Sequence, residues 1–270
     1  MEISRRSALI MVAGTGLAAC EQKAAVQTAP GPDDATTYRA PPTVIDAEAV
    51  SGGVRLRGLA TPASTVRLRA PEGDRFEVAA GADGGWAVNL PIGAAPRLFA
   101  LEAEHGGRVL RGEGALAVLS TPTPRALILR AGYAADIAGS GPPGELRLVA
   151  LDYNGGGLAV AVFAPANTAV GLLVDGVPVG VGQADRRGRL TILSVDSAHH
   201  MALGAHRVAL QTKTGLRVER SVIVATPRLA AGSAYKAVEA PGGWAITWAL
   251  PGGGAETCQV FDDAVARVRL

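Results

Sequence analysis

From about residue 46 onward, apolar and polar side chains alternate in short runs separated by turn residues. Val54-Arg55-Leu56-Arg57 and Val66-Arg67-Leu68-Arg69 put aliphatic groups on one face and arginines on the other, the period-two pattern of a strand buried on one side. No stretch beyond the first twenty residues offers a capped apolar stripe of period 3.6, so the pattern predicts an all-β chain. Leu172-Leu173-Val174-Asp175-Gly176-Val177-Pro178-Val179 predicts a hairpin, because Asp-Gly accepts the positive φ angles of a two-residue turn.

The chain also resembles itself. At an offset of 104, Val54 meets Leu158, Leu56 meets Val160, Val66 meets Val170, Leu68 meets Leu172, Gly84 meets Gly188 and Trp86 meets Leu190. Further on the offset becomes 109, where Ala100-Leu101 meets Ala209-Leu210 and Arg108-Val109 meets Arg217-Val218. The change implies five extra residues in the second copy, around Ser194 to Leu203. Two tandem units follow, 46–120 and 146–226, each with the short strands and turn signals of a β-sandwich.

Gly58-Leu59-Ala60-Thr61-Pro62-Ala63-Ser64-Thr65-Val66-Arg67-Leu68, followed by Ala82-Asp83-Gly84-Gly85-Trp86, resembles bacterial Ig-like domains. In the second copy the resemblance is carried by Ala164-Pro165-Ala166-Asn167-Thr168-Ala169-Val170, Asp175-Gly176 and Ala184-Asp185-Arg186-Arg187-Gly188-Arg189-Leu190. It implies two tandem Ig-like β-sandwiches and folding signals, with no active-site signature. Ala63 and Asn167 stand where the family's turn has Gly, and Leu190 stands where it usually has Trp.

Residues 121–145 read as a Pro- and Gly-rich link containing one short strand, Ala126-Leu127-Ile128-Leu129, which docks on a neighbour and leaves the two domains tethered rather than fused. Residues 232–270 read as a C-terminal β-hairpin extension, with Pro251-Gly252-Gly253-Gly254 as its loop. Alternation puts Trp244, Ile246 and Trp248 on one face of its first strand. That face either packs on the second sandwich or presents an aromatic platform, and it is the candidate interaction surface.

The N-terminus has a positive n-region, Arg5-Arg6, and an apolar run from Ala8 to Ala19. Twelve helical residues span roughly 18 Å, well short of a bilayer core, so residues 1–19 read as a signal peptide and not a membrane span. Leu17-Ala18-Ala19-Cys20 resembles the bacterial lipobox, which implies lipid attachment at Cys20. Several acyl chains together anchor a protein effectively permanently. Ser4-Arg5-Arg6-Ser7 also resembles a twin-arginine motif, leaving the export route open. Glu21, where an inner-membrane retention signal would resemble Asp, favours the outer membrane. Residues 20–43 are otherwise a Pro-rich flexible linker with an r.m.s. reach of roughly 25 Å.

Composition narrows the function. The formal net charge of 270 residues is only +2, with 26 basic against 24 acidic residues, so nothing predicts a nucleic-acid partner. Aromatic residues make up 4% of the chain, which makes the paired tryptophans conspicuous and leaves little for sugar stacking. With Cys20 consumed by lipid, Cys258 has no intrachain partner and is either a buried thiol or an intermolecular disulfide. His199-His200 and His206, seven and six residues apart, could gather around a metal, but no nearby Cys completes a zinc pattern and the five extra residues place the pair on a loop; Asp152-Tyr153-Asn154-Gly155 lacks the closing Glu of a calcium loop and reads as a polar turn. Asp262-Asp263 reads as a solvated pair, and no catalytic motif occurs. The sequence therefore predicts a lipid-anchored envelope protein without cofactor or metal, non-catalytic, that binds or scaffolds an envelope protein or glycan. The alternative is a carbohydrate-binding protein associated with peptidoglycan or another polysaccharide.

Overall fold

The computed structural model describes residues 39–120, 123–139, 144–155, 157–194 and 201–262. The signal peptide, Cys20, the tether as far as residue 38, the His199-His200 pair and Asp263 lie outside the described residues. Among the described residues every helical or strand element is a strand, and the chain is all-β.

The first half contributes β1 (Thr43–Val50), β2 (Gly53–Leu59), β3 (Thr65–Arg69), β4 (Arg75–Ala79) and β5 (Gly85–Leu90). It continues with β6 (Arg97–His105), β7 (Arg108–Arg111), β8 (Ala115–Leu119), β9 (Arg125–Leu129) and β10 (Asp136–Ile137). One sheet has the order β1-β2-β5, and a larger one the order β10-β9-β8-β6-β3-β4, with β7 also on β6. Their facing sides close a core around Leu56, Leu68, Trp86, Phe99 and Leu101.

The second half contributes β11 (Arg147–Tyr153), β12 (Leu158–Phe163), β13 (Ala169–Val174), β14 (Val177–Gln183) and β15 (Arg189–Ser194). Then come β16 (Gly204–Thr212), β17 (Arg217–Val224), β18 (Tyr235–Ala240), β19 (Gly243–Ala249) and β20 (Ala255–Phe261). A six-stranded sheet, β15-β12-β11-β20-β19-β18, faces a four-stranded one, β14-β13-β16-β17. Val160, Val162, Leu172, Leu210 and Phe261 lie in the core between them. The Asp175-Gly176 turn joins β13 to β14 with positive φ at both residues, as the sequence predicts.

The internal repeat extends to single hydrogen bonds. Ala60 N–H donates to the Gly84 carbonyl at 2.9 Å, and 104 residues on Ala164 N–H donates to that of Gly188 at 2.9 Å. Leu68 pairs with Leu101 and Leu172 with Leu210, which carries the change of offset to 109. Ala63 and Asn167 both adopt φ of 57°, so the turn keeps its left-handed geometry although neither copy supplies the glycine that favours it. Leu190 has a compensating partner. Trp86 lies opposite Gly58, where a Cβ would collide with the indole, whereas Leu190 lies opposite Val162. Large-on-none in one copy becomes medium-on-medium in the other, which conserves volume in the pair.

The expected C-terminal hairpin forms, β19 and β20 pairing on either side of Pro251–Gly254, and with β18 it extends the sheet of the second sandwich, because β20 pairs with β11 from Ala150–Val260 to Tyr153–Thr257. One expectation is corrected: the sandwiches are not merely tethered. β9 and β10, in the segment read as a link, join the larger sheet of the first sandwich, whose outer side packs on the outer side of the six-stranded sheet. Leu119, Leu127, Leu129, Phe163, Ile246 and Trp248 lie in this middle core. Among the described residues it holds seventeen buried residues, against fifteen and twenty in the two sandwich cores. Four sheets thus stack as four layers around three cores.

The physical reason lies in strands buried on both faces. In β8, Leu116 and Val118 face the first core while Ala117 and Leu119 face the middle one. In β12 all six residues are buried. A bulge between Leu148 and Ala150 in β11 turns Leu148 and Leu151 toward the second core and Val149 and Ala150 toward the middle one. Unbroken apolar runs such as Leu158-Ala159-Val160-Ala161-Val162-Phe163 are what two-sided burial looks like in sequence.

Candidate functional site

The middle core does not close at one end. Where β3, β6 and β8 of the first sandwich diverge from the end of β19, they leave a cleft of about 780 Å³, within the range of small-ligand sites. Its walls are mainly apolar, with Pro71, Phe99 and Ala115 on one side, Trp248 and Pro251 on the other, and Tyr133 60% exposed in the lining.

The sequence-predicted surface is divided by the fold. Ile246 is fully buried, Trp244 is half-buried against the middle core, and Trp248 is 4% exposed. The three therefore form no exposed aromatic platform, because their face of β19 is what the first sandwich covers. Trp248 nevertheless lines the cleft, and its indole N–H, shielded from water, has no hydrogen-bond partner within the protein. Phe99, Ala115 and Tyr133 escape sequence reasoning: they come from the first repeat and the link, and only the docking of two sandwiches brings them to Trp248.

Two buried carboxylates hold the Tyr133 loop. Asp152 on β11 accepts the Ala135 N–H at 2.8 Å, and Glu256 on β20 accepts the Gly132 N–H at 3.0 Å. The loop between β9 and β10 is thereby pinned on both sides of Tyr133. Burial pushes the Asp152 carboxyl up to about 7, against the opposing effects of the Ala135 and Cys258 hydrogen bonds. Burial likewise raises Glu256. Cys258, opposite Asp152 in register and fully buried, is raised well above the ordinary thiol value by burial and by Asp152. It is the buried thiol of the two alternatives.

Further contacts tie the halves together. Arg125 donates to the Phe261 carbonyl at 2.6 Å, and Asp136 pairs with Arg189. Tyr235, pushed up to about 12 by burial and by Glu72, reaches Glu72 and the Leu98 backbone of the first sandwich.

The remaining candidates are structural. His206 places Nδ1 2.7 Å from Asp175 and Nε2 2.7 Å from the Ala202 carbonyl. Two acceptors suit the doubly protonated ring, and the Asp175 hydrogen bond raises its pKa accordingly. Asn154 accepts the Gly157 N–H at 3.1 Å, in keeping with a polar turn after Asp152. Among the described residues no group of three or more His, Cys, Asp or Glu side chains is placed to hold a metal.

No protein-family model matches the chain, and no curated protein matches it. Among solved structures the chain is similar to the central fibronectin-III array of RIM-binding protein, at 13% identity over 86% of this chain and 93% of that one, with a TM-score of 0.23. It is also similar to a Ca²⁺-stabilized adhesin that helps an Antarctic bacterium reach out and bind ice, at 14% identity over 86% of this chain and 66% of that one, with a TM-score of 0.23. Likeness this loose bears on no functional question, and the paired-sandwich architecture rests on the strand pairing above.

Proposed function

We propose that this is a lipid-anchored protein of the bacterial cell envelope, held by Cys20 in the outer membrane, that acts as a non-catalytic binding module through the cleft between its two sandwiches. The observation that carries the reading is the cleft itself: a mainly apolar recess of about 780 Å³ at the end of a rigid shared core. A site between two docked domains is where small ligands and side-chain anchors bind most often. The lipobox-like Leu17-Ala18-Ala19-Cys20 and the Pro-rich tether support anchoring and give the folded part freedom to meet an envelope component.

Capture from envelope extracts tests this. Wild-type protein retains a component that Ala115→Trp, which fills the cleft, does not, while both melt alike. Equal capture by both proteins at equal stability contradicts the reading.

A further inference from the structure

We propose that the cleft takes a single long acyl chain, with the carbonyl or carboxyl oxygen at its end accepting a hydrogen bond from the Trp248 indole N–H. This deepens the reading of the cleft as the binding site and rests on it.

The cleft offers apolar surface and very little uncommitted polarity. Its charged lining groups already have partners: Arg69 pairs with Glu102 at 3.4 Å, and Arg130 pairs with Glu113 at 3.1 Å and with Asp136 at 3.3 Å. A glycan entering here would strip water from many hydroxyls with few groups to replace it, which is unfavourable. An acyl chain has the opposite balance, a long apolar body with one polar end.

The orphan indole donor of Trp248 fits that end. Trp248 is nine-tenths buried and its Nε1–H is unpartnered, an unfavourable state until an acceptor arrives. Trp86 Nε1 is unpartnered too, but its ring is sealed in the first sandwich core against Gly58 and does not line the cleft. Among the described residues, the buried donors without a hydrogen bond that belong to the cleft lining are Trp248 Nε1 and Arg130 Nε, and Arg130 Nε already faces Glu113 as an ion pair at 3.1 Å. In the bound state the indole turns to bring to the cleft the N–H that the free protein shields from water.

Free fatty acids and phospholipid acyl chains share this chemistry, and the test separates them. The chain from Arg39 onward holds all four sheets and three cores as one compact unit, and serves as the protein without its anchor. Palmitate is titrated by calorimetry and by displacement of a fluorescent polyene fatty acid. Vesicles of phosphatidylethanolamine and phosphatidylglycerol are titrated in parallel. Saturable 1:1 binding is expected from at least one source, the free acid or the vesicles, and whichever binds identifies it.

Ala115→Trp, or Ala249→Trp at the edge of the lining should the first fail to fold, abolishes that binding. Trp248→Phe keeps the ring, loses the N–H and weakens palmitate about tenfold. No saturable binding from either source, or binding untouched by the filling substitutions in folded protein, overturns the proposal. If Ala115→Trp still abolishes capture of an envelope component while palmitate and vesicles do not bind, the acyl inference fails and the binding-module reading stands. If neither is observed, both fall.

Discussion

Asp152 gives a prediction whose sign and size both follow from its position. The residue sits in the third layer, 3% exposed, facing the middle core beside Cys258 and Glu256, with the Ala135 N–H as its backbone donor. A carboxyl held at about 7 in the folded chain, against 3.8 as its ordinary value, binds its proton more tightly when folded by about 4 kcal/mol. The stability linked to this proton is fully present below the unfolded value and is lost as the pH rises through about 7, at up to about 1.4 kcal/mol per pH unit. The folded chain above pH 7 therefore carries a buried carboxylate that destabilises it. In Asp152→Asn the amide oxygen still accepts the Ala135 N–H and nothing ionises. Urea unfolding of both proteins from pH 5 to 8.5 measures the difference. The variant is expected to gain on the wild type by about 2.6 kcal/mol between pH 5 and pH 8, most of it below pH 7, with little further change above. A difference that is flat with pH, or that favours the wild type most at pH 8, refutes the reasoning.

Other expectations are as specific. Trp86→Leu leaves a void over Gly58 and lowers stability by about 2–4 kcal/mol, while Leu190→Trp overfills the space against Val162 and costs about 1–3 kcal/mol, both read from urea midpoints. Ala63→Gly relieves a left-handed backbone and raises stability by about 0.5 kcal/mol after the greater freedom of the unfolded chain is subtracted, whereas Asn167→Gly changes it less because Asn tolerates that geometry. His206 is raised by Asp175, so its contribution is present below the ordinary histidine value and fades as the pH rises through the raised one; the loss in His206→Ala is greatest near pH 5.5 and smallest near pH 9, and an NMR titration of the imidazole gives the raised midpoint directly. Cys258 reacts with a thiol reagent only at the rate of unfolding, because it is fully buried and protonated. Cys20→Ala shifts the protein from the membrane fraction to the soluble fraction.

Much of the fold was legible because local patterns agree with it. Alternation over Val54–Arg57 and Val66–Arg69 gives strands buried on one side, and the Asp175-Gly176 turn has the geometry its residues favour. The third dimension was harder to read. Leu158–Phe163 and Ala126–Leu129 are apolar on both faces, which signals a layer on either side, but nothing local says which surface supplies the second layer. Docking of the sandwiches hides Ile246 and nearly all of Trp248, and it creates the cleft from residues as distant as Phe99 and Pro251. Pairing of β20 with β11 likewise depends on a contact more than a hundred residues apart, which alternation cannot show. For the same reason Asp152, read as the start of a polar turn, lies buried in β11, and the burial of Glu256 was not anticipated. Asp152 stands between Leu151 and Tyr153 and Glu256 between Ala255 and Thr257, as exposed strand residues would, and nothing local shows that the loop around Tyr133 will reach them.

The central claim is that the middle core fuses two sandwiches into one cooperative unit. Differential scanning calorimetry of the chain from Arg39 onward tests it most directly. At about 0.7 kcal/mol per residue, one transition of the whole unit carries an enthalpy of about 160 kcal/mol, with calorimetric and van 't Hoff values equal. A single peak with that agreement is the predicted result. Two peaks, or a van 't Hoff enthalpy near half the calorimetric one, would show sandwiches that unfold independently and would contradict the account.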